Sequence, residues 1–211
     1  MIKSGQFTHA MKKLLNPIVR VYVYRIDKLE LNSFQQTVPA VLTLECKLAT
    51  EHDMKLLFEN WQDSQEECQR HHEVYYNYGF KKCFLFINKE NDEITHLQFL
   101  ITYDDMPTIK KVLPIKLYKY LTDASCASQE WIYTFNKYRK KGIAIQAMSG
   151  IVNYCKINNI STLYSHRGMK NLPSIHMANK IGYIPVAKAI QVQILNQKRH
   201  HGIYVITGEN T

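Results

Sequence analysis

The stretch Trp131-Ile132-Tyr133-Thr134-Phe135-Asn136-Lys137-Tyr138-Arg139-Lys140-Lys141-Gly142-Ile143-Ala144 decides how this chain is read. Trp131 to Phe135 is an alternating apolar run that reads as a strand, and residues 145–157 beyond it carry a helical pattern. Between the two lies a basic turn that contains a glycine. The first turn of a helix leaves backbone N–H groups without partners and points their dipoles outward, so a strand feeding such a turn suits an anion, a phosphate above all. Gly142 lets the backbone approach the ligand, Ala144 keeps the next turn small, and Arg139, Lys140 and Lys141 gather positive charge at the same point. By itself, R-x-x-G-x-A is a short pattern that a solvated helix cap also matches.

Context sharpens it. Downstream lies Asn171-Leu172-Pro173-Ser174-Ile175-His176-Met177-Ala178-Asn179-Lys180-Ile181-Gly182-Tyr183, with a strand-like segment, residues 161–165, in between. The pair resembles the GNAT acetyltransferases, in which an R-x-x-G-x-G/A pyrophosphate turn is followed by a strand, then by N-x-x-S/A on a helix ending in K-x-G-F/Y. The resemblance spans residues 41–211 and is densest over 130–186.

Size and composition fit that resemblance. With 211 residues, 45% hydrophobic and 21% charged, the chain has the proportions of a globular domain and is neither disordered nor fibrous. No apolar run reaches the roughly 18–20 residues of a membrane span, and the early run Leu14-Leu15-Asn16-Pro17-Ile18-Val19 is too broken for a signal-peptide core. The five cysteines, Cys46, Cys68, Cys83, Cys126 and Cys155, form no C-x-x-C pair and make an odd total. Neither a disulfide framework nor a zinc site is expected, and a reducing cytoplasm fits. The nine histidines show no ligand spacing, so no metal is expected. The net charge of +9 favours anionic partners, with dense patches at Lys12-Lys13, Lys110-Lys111, Arg139-Lys140-Lys141 and Lys198-Arg199-His200-His201. No nucleic-acid module accompanies them, and no nucleic-acid partner is expected.

The pattern of elements predicts a mixed α/β (α+β) fold: a mostly antiparallel sheet of six to seven strands with a central splayed pair, flanked by about four helices. Residues 1–35 read as a basic, tyrosine-rich lead-in packed on the core, in which residues 20–26 alternate well enough for a strand or part of an amphipathic helix. Residues 36–211 read as one domain. Strands are expected at 40–48, 83–87, 94–102, 130–135, 161–165, 186–194 and 203–206. Helices are expected after Thr50, whose partner Asp53 makes a helix-start signature, and over 65–78, ending at Gly79. Residues 104–127 show the least periodicity, and connections that long tend to be functional. Tyr103, Tyr118 and Tyr120 lie there, expected to pack.

The resemblance implies a chemistry. Acetyl-CoA, the donor substrate, would lie where residues 130–136 and 161–167 splay apart. Its pyrophosphate would sit on Arg139, Lys140, Lys141, Gly142, Ile143 and Ala144. Backbone amides of Tyr133, Thr134 and Phe135 would receive the pantetheine arm and polarise the thioester carbonyl, and Asn171 and Ser174 would touch the pantetheine or the phosphates. Direct attack by an amine needs a base and a thiolate acid. Glu130, at the start of the splayed strand, and His166, at the end of its neighbour, are the catalytic candidates. Many relatives place a tyrosine acid seven residues after the motif asparagine. Here Ala178 stands at that position, leaving Tyr183, Ser174 or water for the task.

Three readings follow. The first is an acetyl-CoA-dependent N-acetyltransferase acting on a small-molecule or amino-sugar amine, as a monomer or homodimer. The second, motivated by Ala178, is a catalytically degenerate domain that binds CoA or a partner. The third, a basic protein binding lipid headgroups or RNA, predicts salt-dependent binding without CoA competition.

Overall fold

The computed structural model describes residues 19–35, 40–112, 118–194 and 203–208. The basic patches at Lys12-Lys13 and Lys198-Arg199-His200-His201, and Pro114 in the aperiodic region, lie outside the described residues.

Among the described residues, eight strands form one sheet: β1 (Val19–Glu30), β2 (Leu44–Leu48), β3 (Cys83–Asn88), β4 (Glu93–Thr102), β5 (Cys126–Thr134), β6 (Thr162–Gly168), β7 (Ile184–Ile194) and β8 (Ile203–Gly208), in the order β2-β3-β4-β5-β6-β1-β7-β8. Seven correspond to the expected strands. The eighth, β1, comes from the lead-in and runs antiparallel between β6 and β7. Neighbours pair antiparallel except β5 and β6, which run parallel, the arrangement a helical crossover connection permits.

That parallel pair is short. Cys126, Ala127 and Ser128 pair with Thr162, Leu163 and Tyr164, and the ladder stops there. Past Ser128, β5 stays paired with β4, from Phe99↔Glu130 to His96↔Thr134, while β6 stays paired with β1 from Ser165↔Asp27 to Gly168↔Tyr24. The two strands therefore diverge, each held by its outer neighbour.

Among the described residues, five α-helices flank the sheet: α1 (Glu51–Glu59), α2 (Gln65–His72), α3 (Met106–Val112), α4 (Ile143–Ile157) and α5 (Leu172–Ile181). Thr50 and Asp53 close a capping box on α1, satisfying orphan N–H groups at its start. Ser64 caps α2, whose first turn is acidic and last turn basic, matching the helix dipole. The chain continues from α2 as a single π turn, Glu73–Asn77. The aperiodic segment contains α3, which anchors on buried Ile109.

Two apolar layers cover the two faces. On one, α4 and α5 pack through Ile145, Met148, Ile151, Val152, Ala178 and Ile181 onto Phe84, Phe86, Leu100 and Leu163. On the other, Met54, Leu57 and Trp61 of α1 and its following turn, with Val74 and Tyr75, cover Leu85, Leu97, Phe99, Ile101 and Tyr133.

Candidate functional site

The site is built where β5 leaves β6. Glu130 follows the last parallel pair by two residues, so it faces the same way as Ser128, whose hydroxyl donates to Glu130 Oε1 at 2.6 Å. His166 follows Tyr164 by two on β6. The two side chains meet across the splay, with Glu130 Oε1 2.5 Å from His166 Nδ1 and both largely enclosed, 11% and 6% exposed. Tyr118, buried in the segment after α3, sets its ring edge-on against His166 at 5.2 Å between centroids. Strand β5 begins at Cys126, so Glu130 stands within the strand, at the point of divergence.

At the far end of β5, the turn Asn136–Tyr138 leads into the basic stretch. Lys140 has φ 62° and Gly142 has φ 76°, and these two left-handed residues bend the chain so that Gly142 becomes the N-cap of α4. No side chain caps that N-terminus, so the first-turn N–H groups around Ile143 and Ala144 point out of the helix. Lys140 and Lys141 are exposed beside them, which makes a cationic, donor-rich turn of the kind that suits a pyrophosphate. Arg139 is turned back: its Nε donates to the Thr134 carbonyl at 2.9 Å, and its guanidinium lies 5.1 Å from the centre of the Tyr133 ring.

Of the three amides expected to receive the pantetheine arm, that of Phe135 is engaged, donating to the Thr95 carbonyl of β4 at 3.1 Å. Tyr133 and Thr134 are on the splayed edge, the Tyr133 hydroxyl donating to Asp63 at 3.0 Å, with burial and then Asp63 pushing its pKa up to about 12. Asn171 is the N-cap of α5, its Oδ1 accepting from Ser174 N at 3.2 Å. His176 is exposed.

Ala178 is fully buried in the core, and no hydroxyl stands at that place. Tyr183, also buried, donates its hydroxyl to Gln129 Oε1 at 2.8 Å, at the first position of β5 beyond its ladder with β6. Burial raises its pKa above the ordinary value. Beneath α5 lies a polar core that the sequence reading missed. The Asp27 carboxylate of β1 accepts from Arg167 Nη1 of β6 at 2.5 Å and lies 2.7 Å from Arg25 Nε. The Arg167 guanidinium covers the Tyr183 ring at 4.7 Å. Asp27 and Arg167 come from segments far apart in sequence, and their alternation with apolar neighbours hides them. Ser128 was legible in principle, two residues before Glu130 on one strand face.

A separate cleft of about 330 Å³ opens between the end of α1, the β3–β4 hairpin and the Asn136–Tyr138 turn, lined among others by Leu57, Asp63, Glu93, Ile94, Phe135 and Tyr138. Neither Glu130 nor His166 borders it. Among the described residues, no three His, Cys, Asp or Glu side chains gather as a metal site, and no helix is long and apolar enough to cross a membrane.

Comparison with solved structures matches this geometry at the level of fold. A GCN5-related N-acetyltransferase from Sphaerobacter thermophilus superposes with TM-score 0.57 at 8% identity, covering 92% of this chain and 58% of that one. An acetyltransferase of the GNAT family from Colwellia psychrerythraea gives TM-score 0.51 at 10% identity, covering 88% and 60%. The glucosamine N-acetyltransferase region of a fungal multi-domain β-N-acetylglucosaminidase gives TM-score 0.60 at 12% identity, covering 88% of this chain and 22% of that one. The chain thus spans at most about three fifths of the length of these structures. No curated protein matches the sequence. Residues 49–183, from the residue before the α1 capping box to the end of the second motif, match the acetyltransferase (GNAT) family. The chain belongs to that family.

Proposed function

We propose that this chain, with residues 36–211 as a single acyltransferase domain whose sheet the lead-in strand completes, transfers an acetyl group from acetyl-CoA directly to a small-molecule amine. An amino sugar is the first acceptor class to test. The observation that carries the reading is the meeting of Glu130 and His166 at the divergence of β5 and β6, with an uncapped, cation-flanked helix N-terminus at the other end of the same strand.

The parts divide the work. The first turn of α4, with Gly142, Ile143 and Ala144, and the flanking Lys140 and Lys141 hold the pyrophosphate by backbone donors and charge, while Arg139 braces the end of β5. The edge of β5 at Tyr133 and Thr134, free of β6, receives the pantetheine arm, with Asn171 and Ser174 closing from α5. Donors fixed along that edge stabilise negative charge developing on the thioester oxygen without reorganisation. An amine arrives protonated at neutral pH. The Glu130–His166 pair, oriented by Ser128 and Tyr118, accepts the proton, and the amine nitrogen then forms its bond to the acyl carbon as the carbon–sulfur bond breaks. General-base assistance of this kind contributes about 10²–10⁴-fold. The second nitrogen proton, lost as the amide forms, reaches the leaving sulfur through Tyr183 or water, since Ala178 offers no hydroxyl.

Ala178 also supports the second reading, a domain that binds CoA or a partner without turnover. A screen of amines with acetyl-CoA, following free thiol release in the wild type and in Glu130→Gln, separates the two. Transfer that falls in the variant supports catalysis, and CoA binding without transfer to any amine supports the binding module.

A further inference from the structure

Trp131 has φ 45°, a left-handed backbone that a bulky side chain rarely adopts. The β4–β5 register accounts for it. Glu130 stands opposite Phe99 and Tyr133 opposite Leu97, so Trp131 and Ile132 together oppose Gln98. That is a β-bulge, which removes one residue from the ladder and re-aims its neighbours. In a regular strand, residues three apart point to opposite faces. Here Tyr133 packs against Trp61 and His71, on the face where Glu130 meets His166 and His166 meets Tyr118.

The bulge is held from outside the sheet. His71, 1% exposed on α2, places Nε2 3.2 Å from the Trp131 carbonyl, and its ring is wedged between Trp61 and Tyr133 at 5.6 and 5.4 Å. Its Nδ1 lies 2.7 Å from the Glu67 carbonyl. That carbonyl also belongs to the α2 ladder, whereas the bulge takes the Trp131 carbonyl out of the sheet ladder, so the ring proton satisfies an otherwise orphaned group at Nε2. In a trans peptide, C=O and N–H point opposite ways, so fixing the Trp131 carbonyl on the α2 side fixes the Ile132 N–H away from it.

We propose that His71 is a positioning residue: through Nε2–H to the Trp131 carbonyl it locks the bulge that follows Glu130, which returns Tyr133 to the face of the Glu130–His166 pair and sets the direction of the Ile132 amide. The inference rests on the acyl-transfer reading for its consequence in turnover, and on the structure alone for the lock itself.

The test compares His71→Gln, which keeps an N–H donor, with His71→Phe, which fills the space without one. The expected result is a kcat loss of about 10²-fold in His71→Phe, the cost of misplacing a reacting group, with KM for acetyl-CoA unchanged, faster hydrogen exchange at the Ile132 amide, and recovery of both in His71→Gln. Equal losses in the two variants, or a loss confined to acetyl-CoA affinity, would overturn it. Nitrogen-15 spectra of the wild type test the lock without any substitution or turnover. A neutral ring protonated at Nε2 is expected at neutral pH, and a ring protonated at Nδ1 alone refutes the lock. If no amine is acetylated by the wild type, the acyl-transfer reading fails, while the exchange and nitrogen-15 results still decide whether His71 holds the bulge.

Discussion

Glu130 and His166 sit on adjacent parallel strands, 2.5 Å apart from Oε1 to Nδ1, two residues beyond the last backbone pair that joins those strands. If they act on one proton, Glu130→Gln and His166→Ala each lower kcat by about 10²–10³-fold. The double variant falls little further than either single one, because groups working as a unit are not additive. Acetyl-CoA affinity, measured calorimetrically, stays near wild type. Additive losses would separate the two residues into different steps.

The buried pair of Asp27 and Arg167 ties the lead-in strand to β6. Asp27 is fully buried and Arg167 is 3% exposed, and among the described residues Nε and Nη2 of Arg167 have no hydrogen-bond partner. Removing one member strands the other, so Asp27→Asn is expected to lower unfolding free energy by about 3–5 kcal/mol. Replacing both together, Asp27→Leu with Arg167→Met, recovers most of that loss in urea titration. A double variant as weak as the single one would contradict the pairing.

His96 of β4 is fully buried, its Nδ1 2.8 Å from the Thr134 hydroxyl, and burial lowers its pKa from 6.5 to about 4. The folded state thus binds fewer protons than the unfolded chain between those values, and stability falls as pH drops through that window. The loss approaches about 3 kcal/mol by the lower end. Burial depresses the His71 pKa as well, adding a loss of the same sign, so the slope due to His96 is read from the difference between wild type and His96→Gln. No flattening in the variant would refute the assignment.

Helix α4 crosses the sheet closely at Gly150, where an added Cβ would lie 2.7 Å from Cβ and Sγ of Cys46. Gly150→Ala is expected to destabilise the fold by about 1–3 kcal/mol, as overpacking does. In Cys46→Ala the Sγ contact is gone and the penalty shrinks. Thermal melts of the four proteins form the cycle that checks it.

Much of this was legible in the sequence because local chemistry spelled it. Thr50 with Asp53 announced α1, Gly142 after Arg139 announced the start of α4, and Asn171 with Gly182 bracketed α5. What stayed hidden depends on partners far along the chain. Residues 104–127 lack periodicity because α3 is short and anchors on a single buried residue, Ile109. The lead-in alternates, but its place between β6 and β7 is set by Asp27 meeting Arg167 and by backbone register. Glu130 and His166 were separate candidates, since no spacing reveals that two strands 36 residues apart bring them into contact. The bulge at Trp131 is invisible to alternation, which it interrupts.

The central claim is that the turn ending in Gly142 holds the pyrophosphate of an acyl-CoA. Calorimetric titration of acetyl-CoA into the wild type and into Gly142→Glu tests it most directly, with circular dichroism confirming that the variant folds. At φ 76°, with α4 starting beside it, position 142 accepts neither the strain of a side chain nor a negative charge next to phosphate. Saturable one-to-one binding by the wild type, abolished in the folded variant, is the predicted result. No binding by the wild type, or equal binding by both, would contradict it.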